Sequence, residues 1–258
     1  WVVADLTGKS VFQVIGGTNH IGSGSGQANN NRVQLTGDGV SSAVNGPALG
    51  GRGEQGVSGN EFSATGVTFN DNVSGGTTSK GNATGNVLTL SNSKVEGGKQ
   101  VKGGNAMNVN GSASGNRVNL WGHTTVTGDV FGAEAVGANS DNNTVHLSDS
   151  TVTGTIYGLY GTGSGNGNTL INASNASNPN HAGNIARFNV LNFQNISNAN
   201  SDASKAALQI TGVAQTDINN AKFQLDGTDY NVDTYAIGDG EKRYLIHNEK
   251  GFTGFDET

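Results

Sequence analysis

The chain has 258 residues, a formal net charge of −6, 13% charged residues, 42 glycines, 2 prolines and no cysteine. So few prolines exclude a collagen-like chain, and the missing cysteines exclude a disulfide framework; apolar residues recurring in register at so modest a charge exclude a disordered chain. The mild acidity, with no Lys/Arg cluster, argues against nucleic acid and anionic membranes as partners, and no run approaches the ~18 apolar residues of a membrane-spanning helix.

Val2-Val3 and the run Val11-Phe-Gln-Val14-Ile15 read as short strands before Gly16-Gly17, and a chain opening inside a strand at Trp1 reads as a piece of a longer one. A repeating unit follows, clearest between Gly115 and Gly158, where it occurs twice in succession. The first copy is Asn116-Arg-Val-Asn-Leu120, a polar turn, then Val126-Thr-Gly-Asp-Val130-Phe-Gly132; the second is Asn143-Thr-Val-His-Leu147, a turn, then Val152-Thr-Gly-Thr-Ile156-Tyr-Gly158. Within each arm the apolar residues are an even number of positions apart, so they fall on one side of a strand.

Measured against that unit, the first copy is Asn31-Arg-Val-Gln-Leu35 with Val40 and Val44, Ser42 standing for the first glycine and Gly46 at the end. The next is Asn60-Glu-Phe-Ser-Ala64 with Phe69, Asp71 and Val73. The third is Asn86-Val-Leu-Thr-Leu90 with Val95 and a path lengthened by Lys99-Gln100, and a degenerate copy starts at Asn168. The leading asparagines, at 31, 60, 86, 116, 143 and 168, are separated by 29, 26, 30, 27 and 25 residues. Fixed arms with connections of variable length are the signature of a solenoid in which each unit buries its apolar side on its neighbours. The expectation is an all-β chain, a right-handed parallel β-helix of irregular coils of ~25–30 residues, with ~9–10 coils making a rod roughly 45 Å long.

In that stack Val33, Phe62, Leu88, Val118 and Val145 form one internal ladder, and Leu35, Ala64, Leu90, Leu120 and Leu147 the next. The leading asparagines stack at a corner, where Asn tolerates left-handed geometry and can bond its neighbour's backbone. Leu120→Ala is expected to cost on the order of 2–5 kcal/mol, and loss of the outward Asn119 little. Beyond Asn172 the pattern changes, dividing the chain into a repeat region, 1–172, and a C-terminal region of further coils and cap, 173–258. There Ser201–Leu208 is the one plausible short helix, and aromatic and charged residues concentrate, as in Tyr230-Asn-Val-Asp and Lys242-Arg-Tyr-Leu-Ile246. A solenoid needs such an end to block strand addition.

The sequence Gly183-x-Ile185-x-x-Phe188-x-x-Leu191-x-Phe193, with the closing Gly240-Glu-Lys-Arg-Tyr244-Leu-Ile246 and Gly251-Phe-Thr-Gly254, resembles the passenger domains of Gram-negative (type V) autotransporters, in the segment preceding the translocator barrel. The match covers roughly residues 183–258; the repeats agree in style. The resemblance implies an extracellular passenger, held at the bacterial surface by an outer-membrane barrel elsewhere in the full-length protein or released from it. It most often implies an adhesin or self-association factor in aggregation, biofilm or host attachment, bearing on virulence. Its partners are then a host glycan or protein receptor, or another copy of itself, with no membrane insertion by this segment. The serine-protease signature of the family's proteolytic branch is absent.

Catalytic, metal and cofactor motifs are also missing from the sequence. Gly51-Arg-Gly-Glu-Gln-Gly56 spells G-x-G-x-x-G without the strand-to-helix context that makes it a nucleotide loop. The five histidines lack ligand spacing, and no G-x-S-x-G elbow occurs. The enzymatic alternative is a polysaccharide-acting β-helix lyase or hydrolase, which needs converging acid–base groups, whereas the acids here are scattered.

The residue after each unit's last apolar position gives an outward column: Asn45, Ser74, Lys102, Phe131, Tyr157. With Trp121, His146 and Tyr160 nearby, Phe131 and Tyr157 form a candidate ligand-binding patch, since exposed aromatics on a rigid face can stack on sugar rings or anchor a protein. The alternative is that a connection folds over them and they are satellite core. Thr125, Thr127, Thr151 and Thr153 form a second, weaker column, best read as stabilising cross-strand pairs.

Overall fold

The even spacing of apolar residues builds strands that stack in parallel. The computed structural model, which describes residues 1–19, 26–174, 178–218, 221–229 and 243–254, is a β-solenoid of about 7 turns. Seven turns are fewer than the ~9–10 coils expected, although nine parallel strands stack in one of the sheets.

Among the described residues three sheets run along the solenoid, and a fourth pairs only Thr216–Asp217 with Phe252–Thr253. The first stacks Val2–Asp5, Arg32–Thr36, Glu61–Thr65, Val87–Ser91, Arg117–Trp121, Thr144–Ser148, Thr169–Ala173, Val190–Gln194 and Lys222–Leu225, and closes on the antiparallel Thr228–Asp229. The second combines two arms of each coil, a two-residue arm such as Phe69's and a longer one such as Val73–Thr78, which merge in the continuous strand Thr151–Tyr160. It continues through Asn180–Ala186 and Leu208–Ile210 to Ile246–Asn248. The third is short: Gln27–Asn29, Gly56–Ser58, Asn82–Thr84 and Ala113–Ser114.

Both expected ladders form. Val33, Phe62, Leu88, Val118 and Val145 are in register, as are Leu35, Ala64, Leu90, Leu120 and Leu147, and all are buried. Two more ladders come from the second sheet: Val44–Phe69–Val95–Val126–Val152, and Ala48–Val73–Val101–Val130–Ile156. The first unit therefore departs from its expected alignment. Val44 occupies the place assigned to Val40, Ala48 that assigned to Val44, and Gly46 that assigned to Ser42. Val40 is 89% exposed. The cause is a longer turn wound around Asp38, whose carboxylate accepts from the backbone N–H groups of Val40, Ser41 and Ser42.

The leading asparagines stack as expected at the corner between the third and first sheets and bond their neighbour's backbone, with their side chains turned into the rod. Asn60, Asn86, Asn116 and Asn143 are 0% exposed. Each donates from both its backbone N–H and its Nδ2 to the Oδ1 of the next, at 2.8–3.1 Å between Asn60 and Asn86 and at 3.0–3.1 Å between Asn116 and Asn143. The second Nδ2 hydrogen goes to a carbonyl of the third sheet, Ala28 for Asn60 and Ala83 for Asn116. Every amide is thus saturated, which is what burial of a polar group demands. The left-handed residue is the one before the asparagine, not the asparagine itself: Asn30, Gly59, Gly85, Gly115, Asn142 and Gly167 all have positive φ.

Opposite the amides runs a column of glycines, Gly50, Gly75, Gly103, Gly132 and Gly158. A Cβ on Gly132 would meet Gly158 O at 2.7 Å and Asn143 Cβ at 3.2 Å. These glycines make room for the asparagine ladder across the rod, which accounts for part of the glycine content.

Two further expectations change. Asn119 points away from the core yet is 4% exposed, because it accepts from Arg117 Nε at 2.7 Å and donates to Thr89 Oγ1 at 2.9 Å. Asn119→Ala is accordingly expected to cost about 1–2 kcal/mol, still below Leu120→Ala, in an equilibrium denaturation of both variants. Ser201–Leu208 is not an α-helix but two 3₁₀ turns, Asn198–Ser201 and Ala203–Lys205, leading into the strand Leu208–Ile210. Ile185, Phe188, Leu191 and Phe193 are buried, continuing the core toward the C-terminus. The stretch Tyr230–Asp233 and Lys242 lie outside the described residues.

Candidate ligand-binding groove

A strand with perfect alternation puts residues three apart on opposite faces. The longer arms of the second sheet do not alternate. In Val73–Thr78 the two glycines Gly75 and Gly76 both face inward, toward Asn86, so Ser74 and Thr77 both face outward. The same irregularity recurs coil after coil, aligning Ser74 with Lys102, Phe131 and Tyr157, and Arg52 with Thr77, Asn105, Glu134 and Tyr160. These are two outward rows, parallel to the rod axis.

The rows bend toward each other. Thr77 Oγ1 donates to Ser74 Oγ at 3.2 Å within one strand. Lys102 Nζ in the first row reaches Glu134 Oε2 in the second at 2.5 Å, and the Phe131 ring lies 4.8 Å from that of Tyr160. The result is a groove whose floor is outward-facing and yet buried: Ser74, Lys102 and Asn105 are each below 10% exposure.

The sequence-predicted residues fall into two groups on different sheets. Phe131, Tyr157 and Tyr160 form one cluster, with Phe131 and Tyr157 centroids 5.3 Å apart and Tyr157 and Tyr160 5.2 Å apart. Phe131 does not face solvent: it is 0% exposed, covered by the tyrosines and by Lys102, whose Nζ is 5.7 Å from its centroid. It is the backing of the patch, and Tyr160, 44% exposed, is the accessible ring. Asn45 does not belong to this column. Its place is taken by Leu49, which aligns with Ser74, while Asn45 accepts from Asn70 at a separate corner.

Trp121 and His146 make the other group, on the outward side of the first sheet, with ring centroids 5.8 Å apart in an edge-on arrangement. Arg117 approaches His146 Nδ1 at 3.2 Å and also holds Asn119. Burial first, and the Arg117 charge second, lower the His146 pKa from 6.5 to about 4, so the ring is neutral at pH 7 and its Nδ1 accepts from the guanidinium. The unfolded chain binds a proton below about pH 6.5 that the folded chain refuses until about pH 4. The stability held in a neutral His146 is therefore full above 6.5 and falls as pH drops through that window. A His146→Gln variant is expected to show a flatter pH dependence of its melting temperature between 6.5 and 4.

Lys102, Asn105, Glu134 and Arg52 complete the groove, and of these only Lys102 was singled out from the sequence. The signal was present in the paired inward glycines of Val73–Thr78 and Val101–Ala106, which shift the outward positions to a spacing of three. Two hollows lie along the second row. One, of about 510 Å³, is lined by Thr18, Asn19, Arg52, Glu54 and Thr77; the other, of about 430 Å³, by Glu134, Tyr157, Tyr160 and Arg187 among others. Arg187 donates to the carbonyls of Gly161 and Gly163, fixing the loop at the second hollow's rim. Among the described residues no group of three or more His, Asp or Glu could hold a metal ion.

No family model, curated protein or solved structure matches this chain.

Proposed function

We propose that the chain is a passenger segment of an autotransporter adhesin, a rigid rod at the cell surface or released from it, that attaches to a host receptor or to another copy of itself. The observation that carries this reading is the groove. An interior closed by apolar and asparagine ladders leaves chemistry to the lateral faces, and one face sets a polar and aromatic strip along the axis. Exposed rings beside fixed hydrogen-bonding groups suit attachment. Placement at the surface and the roles in aggregation and biofilm rest on the C-terminal sequence resemblance.

In the polysaccharide-acting alternative, the groove would present an acid–base pair. Its described residues include two carboxylates, Glu54 and Glu134, which line different hollows and are engaged by Lys80 and Lys102. The adhesive reading needs no reacting group and is the one we adopt. Cells displaying the chain through a carrier barrel should clump or attach to host cells more than cells carrying the barrel alone. Equal behaviour by both assays removes the proposal.

A further inference from the structure

We propose that the groove on the second sheet binds a linear oligosaccharide lying along the rod axis, its rings against Tyr157 and Tyr160 and its hydroxyls on Asn105, Thr77 and Glu134. This deepens the adhesive reading and rests on it. The first support is an unmet hydrogen bond. Asn105 Oδ1 is buried without a partner, in a residue 9% exposed on the outward row between Thr77 and Glu134. A buried acceptor of this kind is rare and calls for a donor. Oδ1 is shut off from solvent as it stands, so a sugar hydroxyl supplies that donor once the Asn105 side chain turns its amide into the groove.

The second support is shape. Thr77 lines one hollow and Glu134 the other, and Asn105 joins them in register. Each hollow is within the range of small-ligand sites, and together they span five successive coils from Arg52 to Tyr160, spaced ~4.8 Å apart. An extended polymer matches that form; a compact metabolite would occupy one hollow alone.

The third support is the kind of surface. Tyr160 offers a ring face and a hydroxyl, and Phe131 and Tyr157 pack behind it, so the ring is held before any ligand arrives. Beside the rings stand an amide, a hydroxyl and a carboxylate, groups that pair with polyhydroxylated chains. An extended peptide would instead seek unpaired main-chain groups at a sheet edge. Here the face is formed by strands already paired on both sides, from Ala48–Gly53 to Thr151–Tyr160.

The test is titration calorimetry of the purified chain against linear glucan, N-acetylglucosamine and uronate oligomers, from disaccharide to octasaccharide. At least one series should bind, with affinity rising with length. Tyr160→Ala and Asn105→Ala should each weaken binding about tenfold or more while melting like the parent, and Trp121→Ala, on the other sheet, should change nothing. Absence of binding across all three series overturns the inference, as does unchanged binding by a folded Tyr160→Ala chain. Displayed on cells, the parent chain separates the two claims. Clumping or attachment without oligosaccharide binding leaves the adhesive reading standing and removes the groove's ligand; loss of both on cells removes the adhesive reading itself.

Discussion

Asn116→Leu is expected to destabilise the rod by roughly 4–8 kcal/mol, more than the loss of a large apolar side chain from the same coil. The residue sits in the middle of the asparagine ladder and is 0% exposed. Its Oδ1 accepts from the backbone N–H and the Nδ2 of Asn86, and its Nδ2 donates to Ala83 O and to Asn143 Oδ1. Leucine fills the space but leaves two donors on Asn86 and the Ala83 carbonyl short of a partner. Each buried unsatisfied group costs about 1–3 kcal/mol, and water cannot reach them. Asn70→Ala is the control, because that side chain bonds only Asn45 at an exposed corner and should change stability by under about 1 kcal/mol. Urea denaturation of the three proteins measures both values; equal midpoints for the two variants would refute the role given to the ladder.

That contrast between two asparagines also marks how far the sequence could be read. The period of the leading asparagines and the strides of Val118, Leu120, Val145 and Leu147 gave the stacking and the core, because period-two burial fixes which side each residue takes. What the asparagines do was visible in part. The corner stack and its bond to the neighbouring backbone were expected, whereas the full burial of the side chains follows only from the saturated amide network. The first unit slipped by four residues because the turn at Asp38 is longer than its counterparts, and an alignment on valines alone accepts either placement.

The candidate site was half legible for a related reason. Phe131, Tyr157 and Tyr160 were found as neighbours, and their register is as expected. The burial of Phe131 was only one of two readings left open, and it follows from Gly75-Gly76 and Gly103-Gly104, where two successive residues face inward. That irregularity folds the outward rows together, buries Phe131 and brings in Glu134 and Asn105, which no spacing of two would have grouped. Trp121 and His146 share coils with the cluster but belong to another sheet, a separation that depends on the intervening turn.

The same glycines carry the second large effect. Gly103→Val is expected to cost more than about 4 kcal/mol, in the range reached only by overpacking, lost networks or strain. A Cβ there would fall inside van der Waals contact of Gly132 O in the next coil, and would stand 3.1 Å from Asn116 Cβ and 3.3 Å from Val118 Cγ2. The first obstacle is backbone, held by the pairing of Val101–Ala106 with Val130–Ala135, so it cannot rotate away as a side chain could. Relief requires the two coils to part, which would stretch the asparagine ladder at Asn116–Asn143 as well as the sheet. Overpacking and loss of polar contacts then add in one place. Gly98→Ala separates this from ordinary glycine strain: its φ is +70° but nothing lies within 4 Å of the new Cβ, so the penalty is the left-handed one alone, about 1–2 kcal/mol. If Gly103→Val melts as Gly98→Ala does, the coils are not held as closely as the glycine column requires, and the groove those coils shape loses its rigid backing too.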